Sequence, residues 1–383
     1  MSYYPPPPPR HQPGPLRTFG LVMAAVALAA LIGAAFLVGG LHRAPSLRSL
    51  GPQGLGDSGQ NTAQSFDTNT VAGKVAAGLV DVNTTLGYQG AQAAGTGMVL
   101  TPDGEVLTNN HVVEGATSIS VTDIDTGKTY KAAVTGYDRT EDVAVLRLQG
   151  ASGLATITTG DSGQVGVGEP VVGIGNAGGT GGAPSVAPGT VTALGQSITA
   201  SDESSGSSEQ LEGLIQVNAN IQSGDSGGAL ADRDAHVIGM NTAASSGYQF
   251  GPGRHGQRQS QSSAATGYAI PINQALSIAK QIEAGSSSST VHIGASAFLG
   301  VSVADSGQGA AIQEVVPGGP AAQAGLSAGD VLSGINDQQV DSATTLTTLM
   351  DGFHPGDKIT LSWLDQTGQQ QSATVTLAEG PVG

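Results

Sequence analysis

Apolar and polar positions alternate in short bursts through the middle of the chain, and turn residues separate the bursts. The first set falls at residues 97–100, 106–108, 118–123, 130–137 and 143–148, with Pro102-Asp103-Gly104 and Thr126-Gly127-Lys128 as turns. A period of two puts one face of each run inward, so this rhythm predicts an antiparallel barrel. A second set at 170–174, 189–194, 214–217, 229–231, 237–243 and 268–270 predicts another. Helical spacing is scarcer. Residues 275–284 place Ala275, Ile278, Ala279 and Ile282 on one face, and 342–353 opens on a Ser342 cap with Leu346, Leu349 and Met350 apolar. Residues 71–79 read as a short helix or strand entering the first barrel, 320–326 as a short helix and 329–336 as a strand into a turn. The fold class is mainly β, ending in a smaller α+β segment.

The ends of this pattern differ in kind. Residues 1–18 hold the run Pro5 to Pro9, which lacks N–H donors and apolar surface, and predict a disordered or polyproline tail. Residues 19–41 are apolar, uncharged and long enough to span a bilayer. A cleaved signal would be shorter, and Gly40-Leu41-His42-Arg43 offers no small-x-small cleavage pattern, so a retained transmembrane helix is expected. Arg10 and Arg17 before the span balance Arg43 and Arg48 after it, which leaves orientation open. Residues 42–70 read as a flexible linker and 285–296, opening on Gly-Ser-Ser-Ser-Ser-Thr, as another. Between and beyond them, 71–284 and 297–383 are the two folded units. At 383 residues the chain has room for both.

Composition removes several classes. A formal charge of −16 leaves no nucleic-acid footprint, and zero cysteines exclude disulfides, thiol catalysis and Cys-ligated zinc. Gly173-Ile174-Gly175-Asn176-Ala177-Gly178 matches a dinucleotide fingerprint, but Gly-rich 179–184 cannot open a helix and no acid follows before Asp202. Gly127-Lys128-Thr129 imitates a P-loop end, yet Thr122 stands where that motif needs glycine. Asp123 and Asp125 are too few acids for calcium. No cofactor and no metal are expected.

What remains is nucleophilic chemistry. In Ser223 to Leu230, SGDSGGAL, glycines on both sides of Ser226 permit a sharp turn that aims several N–H groups at one point, where an oxyanion would form. A serine nucleophile needs a base, and the base a carboxylate. Of the seven histidines, His111 lies at the polar end of the apolar run VLTNNHVV, which predicts a strand end. Asp142 opens the strand DVAVLRL. The order His111, Asp142, Ser226 is one of the known orders of the Ser-His-Asp triad.

These motifs, with VVGIGN at 171–176, VIGMNT at 237–242 and GYAIPI at 267–272, resemble the HtrA/DegP-type serine proteases over roughly 71–383. The resemblance implies a chymotrypsin-like double β-barrel followed by a PDZ domain, with the large C-terminal part outside the cytoplasm. It implies His111 as general base, Asp142 as its orienter, Ser226 as nucleophile, and the N–H groups of Gly224, Ser226 and Asp225 as oxyanion hole. Asn220, six positions before the serine, is expected at the base of the S1 pocket with Thr242 and Ala243 as small walls, favouring small or medium aliphatic residues. Phe298-Leu299-Gly300-Val301 resembles the PDZ carboxylate-binding loop, which captures peptide C-termini. Unfolded or misfolded proteins are the implied substrates and a homotrimer the implied assembly. Polar loops at 197–210 and 246–263 lie where the family places loops that rearrange on activation. The chain departs from the family in Asp225, where HtrA-type enzymes usually carry Asn, and nothing in the sequence names a partner for that acid. An inactive protease fold serving as a PDZ scaffold or chaperone is the rival reading, and a site-specific regulatory protease a third.

Overall fold

A computed structural model of the chain describes residues 67–201, 208–242 and 266–383. The expected tail 1–18, membrane span 19–41 and most of the linker 42–70 lie outside the described residues, as does the loop 246–263. Among the described residues, no helix is long and apolar enough to cross a membrane.

The end of the expected linker is already helical. Helix α1 (Thr68–Ala76) starts at Asp67, whose carboxylate accepts the N–H groups of Asn69 and Thr70 at 3.2 Å and so satisfies donors that the first turn leaves unpaired. Val71, Ala72 and Val75 bury its inner face.

The first barrel comprises β1 (Leu79–Leu86), β2 (Ala91–Thr101), β3 (Glu105–Thr108), β4 (Ser118–Asp123), β5 (Thr129–Asp138) and β6 (Val143–Leu148), with a one-turn helix α2 (Asn110–Val113) after β3. The order β4-β1-β2-β3-β6 closes because β5 pairs with both β4 and β6. Val80, Val99, Val106, Val121 and Leu146 fill the interior. Strand β1 escapes the period-two signal because LVDVNTTL buries its first four residues on both faces, Asp81 included.

The second barrel is β7 (Pro170–Gly175), β8 (Ser185–Ser201), β9 (Ser208–Val217), β10 (Ala229–Ala231), β11 (Val237–Thr242) and β12 (Gly267–Pro271), closed in the order β10-β11-β12-β9-β8-β7. Helix α3 (Ile272–Glu283) packs against β11 and β12 and against β5 and β6 of the first barrel, and buries the predicted face, Ala275, Ile278, Ala279 and Ile282, plus Ile272.

Part of the expected second linker is structured. Strand β13 (Val291–Ile293) pairs antiparallel with β5, His292 opposite Tyr137, and Thr290 Oγ1 donates to Asp138 Oδ2 at 2.9 Å. The bare Cα of Gly136 makes this possible, since a Cβ there would stand 2.5 Å from the His292 carbonyl oxygen.

The C-terminal unit follows: β14 (Ala297–Phe298), β15 (Val301–Asp305), β16 (Ala310–Val315), α4 (Pro320–Ala324), β17 (Val331–Ile335), β18 (Gln338–Gln339), α5 (Ala343–Met350), β19 (Lys358–Leu364), β20 (Gln370–Thr376) and β21 (Ala378–Glu379). Its sheet runs β15-β16-β17-β19-β20 over a core of Leu299, Ile312, Leu332, Ile335 and Trp363. The Ser342 hydroxyl caps α5 by accepting the Thr345 N–H at 3.0 Å, as predicted. Beyond β21 the chain returns to the first barrel. Val382 donates to the Ala116 carbonyl at 3.0 Å and accepts the Gly115 N–H at 2.8 Å. Asp351, at the end of α5, accepts from Tyr137 Oη at 3.1 Å and Arg139 Nη1 at 2.9 Å.

Candidate active site

His111 does not sit on a strand end. Strand β3 stops at Thr108, and His111 rides the single turn of α2. Its Nδ1 lies 2.9 Å from Asp142 Oδ2 and 3.0 Å from Oδ1, and its backbone N–H donates to Oδ1 at 3.0 Å. A carboxylate against Nδ1 favours the tautomer protonated there and leaves Nε2 as the basic nitrogen. Asp142 is buried and holds a left-handed backbone, φ 53°, a region that Asp tolerates better than most residues. Its carbonyl accepts Asn109 Nδ2 at 3.0 Å and its N–H donates to Arg139 O at 3.2 Å, which keeps the strained turn in place.

Ser226 is buried on a loop that only glycine can shape. At Gly224, φ 92°, a Cβ would stand 2.1 Å from the Asn176 carbonyl oxygen, and at Gly227, φ 81°, 2.1 Å from that of Thr96. The Asp225 N–H turns inward to the Gln222 carbonyl at 2.9 Å, so it leaves the expected oxyanion set of Gly224, Asp225 and Ser226. The Ser223 carbonyl accepts the Gly178 N–H at 2.7 Å. Across the barrels, Thr96 N–H donates to the Ser226 carbonyl at 2.8 Å, and Thr108 Oγ1 donates to the Thr96 carbonyl at 2.7 Å. One residue of β2 thereby tethers both the serine loop and the strand that leads to His111.

Asp225 has found partners that the sequence did not announce. Ser185 Oγ, on β8, donates to Oδ1 at 2.5 Å, and the Gln222 N–H to Oδ2 at 2.9 Å. Burial pushes this carboxyl above its ordinary range, and the two hydrogen bonds oppose that shift only in part. No local signal links Ser185 to a residue 40 positions later.

The expected S1 residues separate. Asn220 is exposed, while its neighbours Ala219 and Ile221 turn inward. The chain bends at Asn218 and Ala219, the Ile221 N–H donates to the Ala219 carbonyl at 3.0 Å, and Gly173 and Gly267 leave the space that the Ile221 side chain enters. Thr242 is buried with its hydroxyl 3.5 Å from Asp142 Oδ2, a long contact on the histidine side of the site. Ala243 lies outside the described residues. Asp123, the decoy acid, accepts from the Asp125 N–H and Thr126 Oγ1 and shapes a hairpin turn.

In the C-terminal unit, Phe298 pairs with Ala378 and stacks on Tyr88 at 5.1 Å. The Leu299 and Gly300 carbonyls accept Ala321 and Val316 N–H groups at 2.9 Å, and Gly300 has φ 83°. With their oxygens turned away, Phe298, Leu299, Gly300 and Val301 border a cavity of about 170 Å³. Leu346 and Met350 of α5 form another wall, and Tyr137 and Arg139 of the first barrel complete it.

Residues 95–240 match the trypsin-like peptidase domain and 297–377 the PDZ domain. Over 377 residues the chain is 34% identical to serine protease PepD of Mycobacterium tuberculosis, covering 94% of this chain and 77% of that protein. The chain belongs to the HtrA/DegP-type serine proteases. It is a serine endopeptidase with one PDZ domain. Periplasmic serine endoprotease DegP of Escherichia coli is 32% identical over 300 residues, 75% of this chain and 57% of that one. Among solved structures, the HtrA-type protease AlgW with a tripeptide is 28% identical, covers 82% of this chain and 97% of that chain, and has a TM-score of 0.46.

Proposed function

We propose that this HtrA-type chain is a membrane-anchored endopeptidase of protein quality control, acting outside the cytoplasm on unfolded or misfolded proteins. The observation that carries the reading is the His111–Asp142 pair at 2.9 Å beside a serine loop tethered to the same barrel through Thr96. Ser226 Oγ attacks the scissile carbonyl carbon as its proton passes to His111 Nε2. The N–H groups of Gly224 and Ser226 receive the developing oxyanion. Collapse expels the amine, which takes the proton from His111 and leaves an acyl-enzyme. Water then gives His111 a proton and attacks the ester, and the carboxylic acid departs as Ser226 regains its hydrogen. Asp142 orients the ring and stabilises the imidazolium in both halves.

The wider reading has separate supports. A peptide strand can extend the sheet at β15, opposite α5, with its carboxylate at Phe298 to Val301, in the manner of β-augmentation. Arg139 and Asp351 join that groove to the first barrel, which supports regulation by the PDZ domain. Asn220 brings no acid to pair with Lys or Arg, which supports small or medium aliphatic residues in S1. The apolar run 19–41 supports the anchor, and the curated relatives named periplasmic support a place outside the cytoplasm. A homotrimer rests on the family alone.

The test is β-casein digestion by the detergent-solubilised full chain, wild type beside Ser226→Ala, with and without a peptide ending in an apolar residue. Wild-type cleavage that the peptide raises and that Ser226→Ala lowers by about 10⁶-fold is expected. Comparable cleavage by both would reject Ser226 as nucleophile. Cleavage by neither, from folded protein, would return weight to the scaffold reading.

A further inference from the structure

Thr96 joins the first barrel to the second through three hydrogen bonds. It is fully buried on β2 between Gly95 and Gly97. A Cβ at Gly95 would come within 2.7 Å of the Val112 side chain and 3.2 Å of the Ser226 carbonyl oxygen, so the bare backbone lets β2 approach both α2 and the serine loop. Four hydrogen bonds then converge on Thr96. Its N–H donates to Ser226 O at 2.8 Å, and its carbonyl accepts Thr108 Oγ1 at 2.7 Å. Its hydroxyl donates to Gly224 O at 2.7 Å and accepts the Asn176 N–H at 2.8 Å.

The hydroxyl bonds matter because of what they hold. Gly224 has φ 92° and no Cβ, so the peptides on either side of it can rotate with little steric resistance. The preceding peptide is held by the Gly178 N–H on Ser223 O, and the following one by Thr96 Oγ1 on Gly224 O and by Gln222 O on the Asp225 N–H. Asn176, which donates to the same hydroxyl, enters the turn that carries Gly178. A single hydroxyl therefore donates to the serine loop and accepts from the segment that braces it.

We propose that Thr96 is a positioning residue for the oxyanion hole, its hydroxyl fixing the Gly224–Asp225 peptide directly and the Ser223–Gly224 peptide through the turn from Asn176 to Gly178. This rests on Gly224 and Ser226 being the oxyanion donors. Without the hydroxyl, a buried carbonyl loses its donor and a buried N–H its acceptor, and both are relieved if the loop turns. The Gly224 N–H then leaves the place where the oxyanion forms, while the substrate-binding surface and the His111–Asp142 pair stay intact.

The test compares wild type, Thr96→Val and Thr96→Ser in the full chain, using a fluorogenic peptide substrate, a peptide boronate that mimics the tetrahedral oxyanion, and fluorophosphonate labelling of Ser226. Thr96→Val, which keeps the shape and removes both bonds, is expected to lower kcat by about 10²–10³-fold, the scale of losing one oxyanion donor. KM and the pH profile attributed to His111 should hold, and boronate affinity should fall in parallel with kcat. Thr96→Ser should recover kcat to within a few-fold. Thr96→Val with kcat near wild type overturns the proposal, and so does Thr96→Ser as impaired as Thr96→Val, which would show that the hydroxyl does not hold the site. If Thr96→Val does not fold, Thr96→Ala is held to the same kcat and boronate criteria. Wild type that neither cleaves nor labels would instead reject the catalytic reading itself.

Discussion

In the first barrel, His111 and Asp142 sit where regular elements end, one on the turn after β3 and one immediately before β6. In the second, Ser226 sits on a loop between two left-handed glycines, and that loop keeps its shape through bonds to Thr96, Gly178 and Ser185. The first pair is held by bonds within its own barrel, from Asn109 and to Arg139, whereas the serine loop also takes bonds from the other barrel. A change to the first barrel's acid should therefore remove chemistry and spare shape. A change in the second barrel's loop should alter shape first.

The largest effect expected inside this contrast is Asp142→Asn. The amide keeps the bulk but invites the wrong imidazole tautomer, so kcat should fall by about 10⁴-fold while circular dichroism and Tm stay close to wild type. Next comes Gly224→Ala, whose Cβ meets the Asn176 carbonyl oxygen at 2.1 Å in a left-handed backbone. The loop must rearrange, and a kcat loss of about 10²–10³-fold accompanied by a lower Tm is expected. A Tm drop in Asp142→Asn as large as that in Gly224→Ala would erase the distinction between the barrels.

Two smaller effects are read as stability against pH. Burial raises the pKa of Asp225 above its unfolded value, so the folded state holds its proton more tightly. That contribution is fully present below the unfolded pKa and is lost as pH rises through the folded one. Asp225→Asn can keep both hydrogen bonds, with Nδ2 now donating to Ser185. Its Tm should exceed wild type at neutral pH, and the gap should narrow on acidification. A wild-type Tm equal to or above that of Asp225→Asn at pH 7 would show the charge to be better compensated than these bonds indicate. Glu105, on β3, is raised to about 7 by burial first and by Glu283 second, with Arg147 opposing at 3.7 Å. The sign is the same, and the loss falls between its ordinary range and about pH 7. Glu105→Gln should flatten the wild-type decline in Tm over that window, with no change in kcat.

Much of this arrangement was legible in the chain. The bounds of β4 and β6, the buried face of α3 and the Ser342 cap follow from period and end chemistry, because each is decided by residues within a few positions of one another. The motifs around His111, Asp142 and Ser226 were legible for the same reason. Strand β1 was not, because a strand buried on both faces carries no alternation, and Asp81 within it looks like a surface residue. That Ile221 turns inward beside an exposed Asn220 depends on the bend after β9, which no motif fixes. Ser185 as partner of Asp225, and Thr96 as anchor of the serine loop, depend on contacts across 40 and 128 positions. The first forms only when the second barrel closes, and the other only when the two barrels meet.

The pairing of β13 with β5 bears on how these modules could be exchanged. A splice placed in the glycine-serine stretch after α3 looks like a clean seam, yet everything downstream would leave with Val291, His292 and Ile293. The donor barrel would then present the bare edge of Gly136 to Asp138, a ready template for another chain's strand. The transplanted unit would carry an orphaned strand of its own, since the surface that His292 matches stays behind. A graft cut just after Ile293 keeps the edge covered, so the transferable PDZ unit begins closer to Phe298 than the composition of the connecting segment suggests.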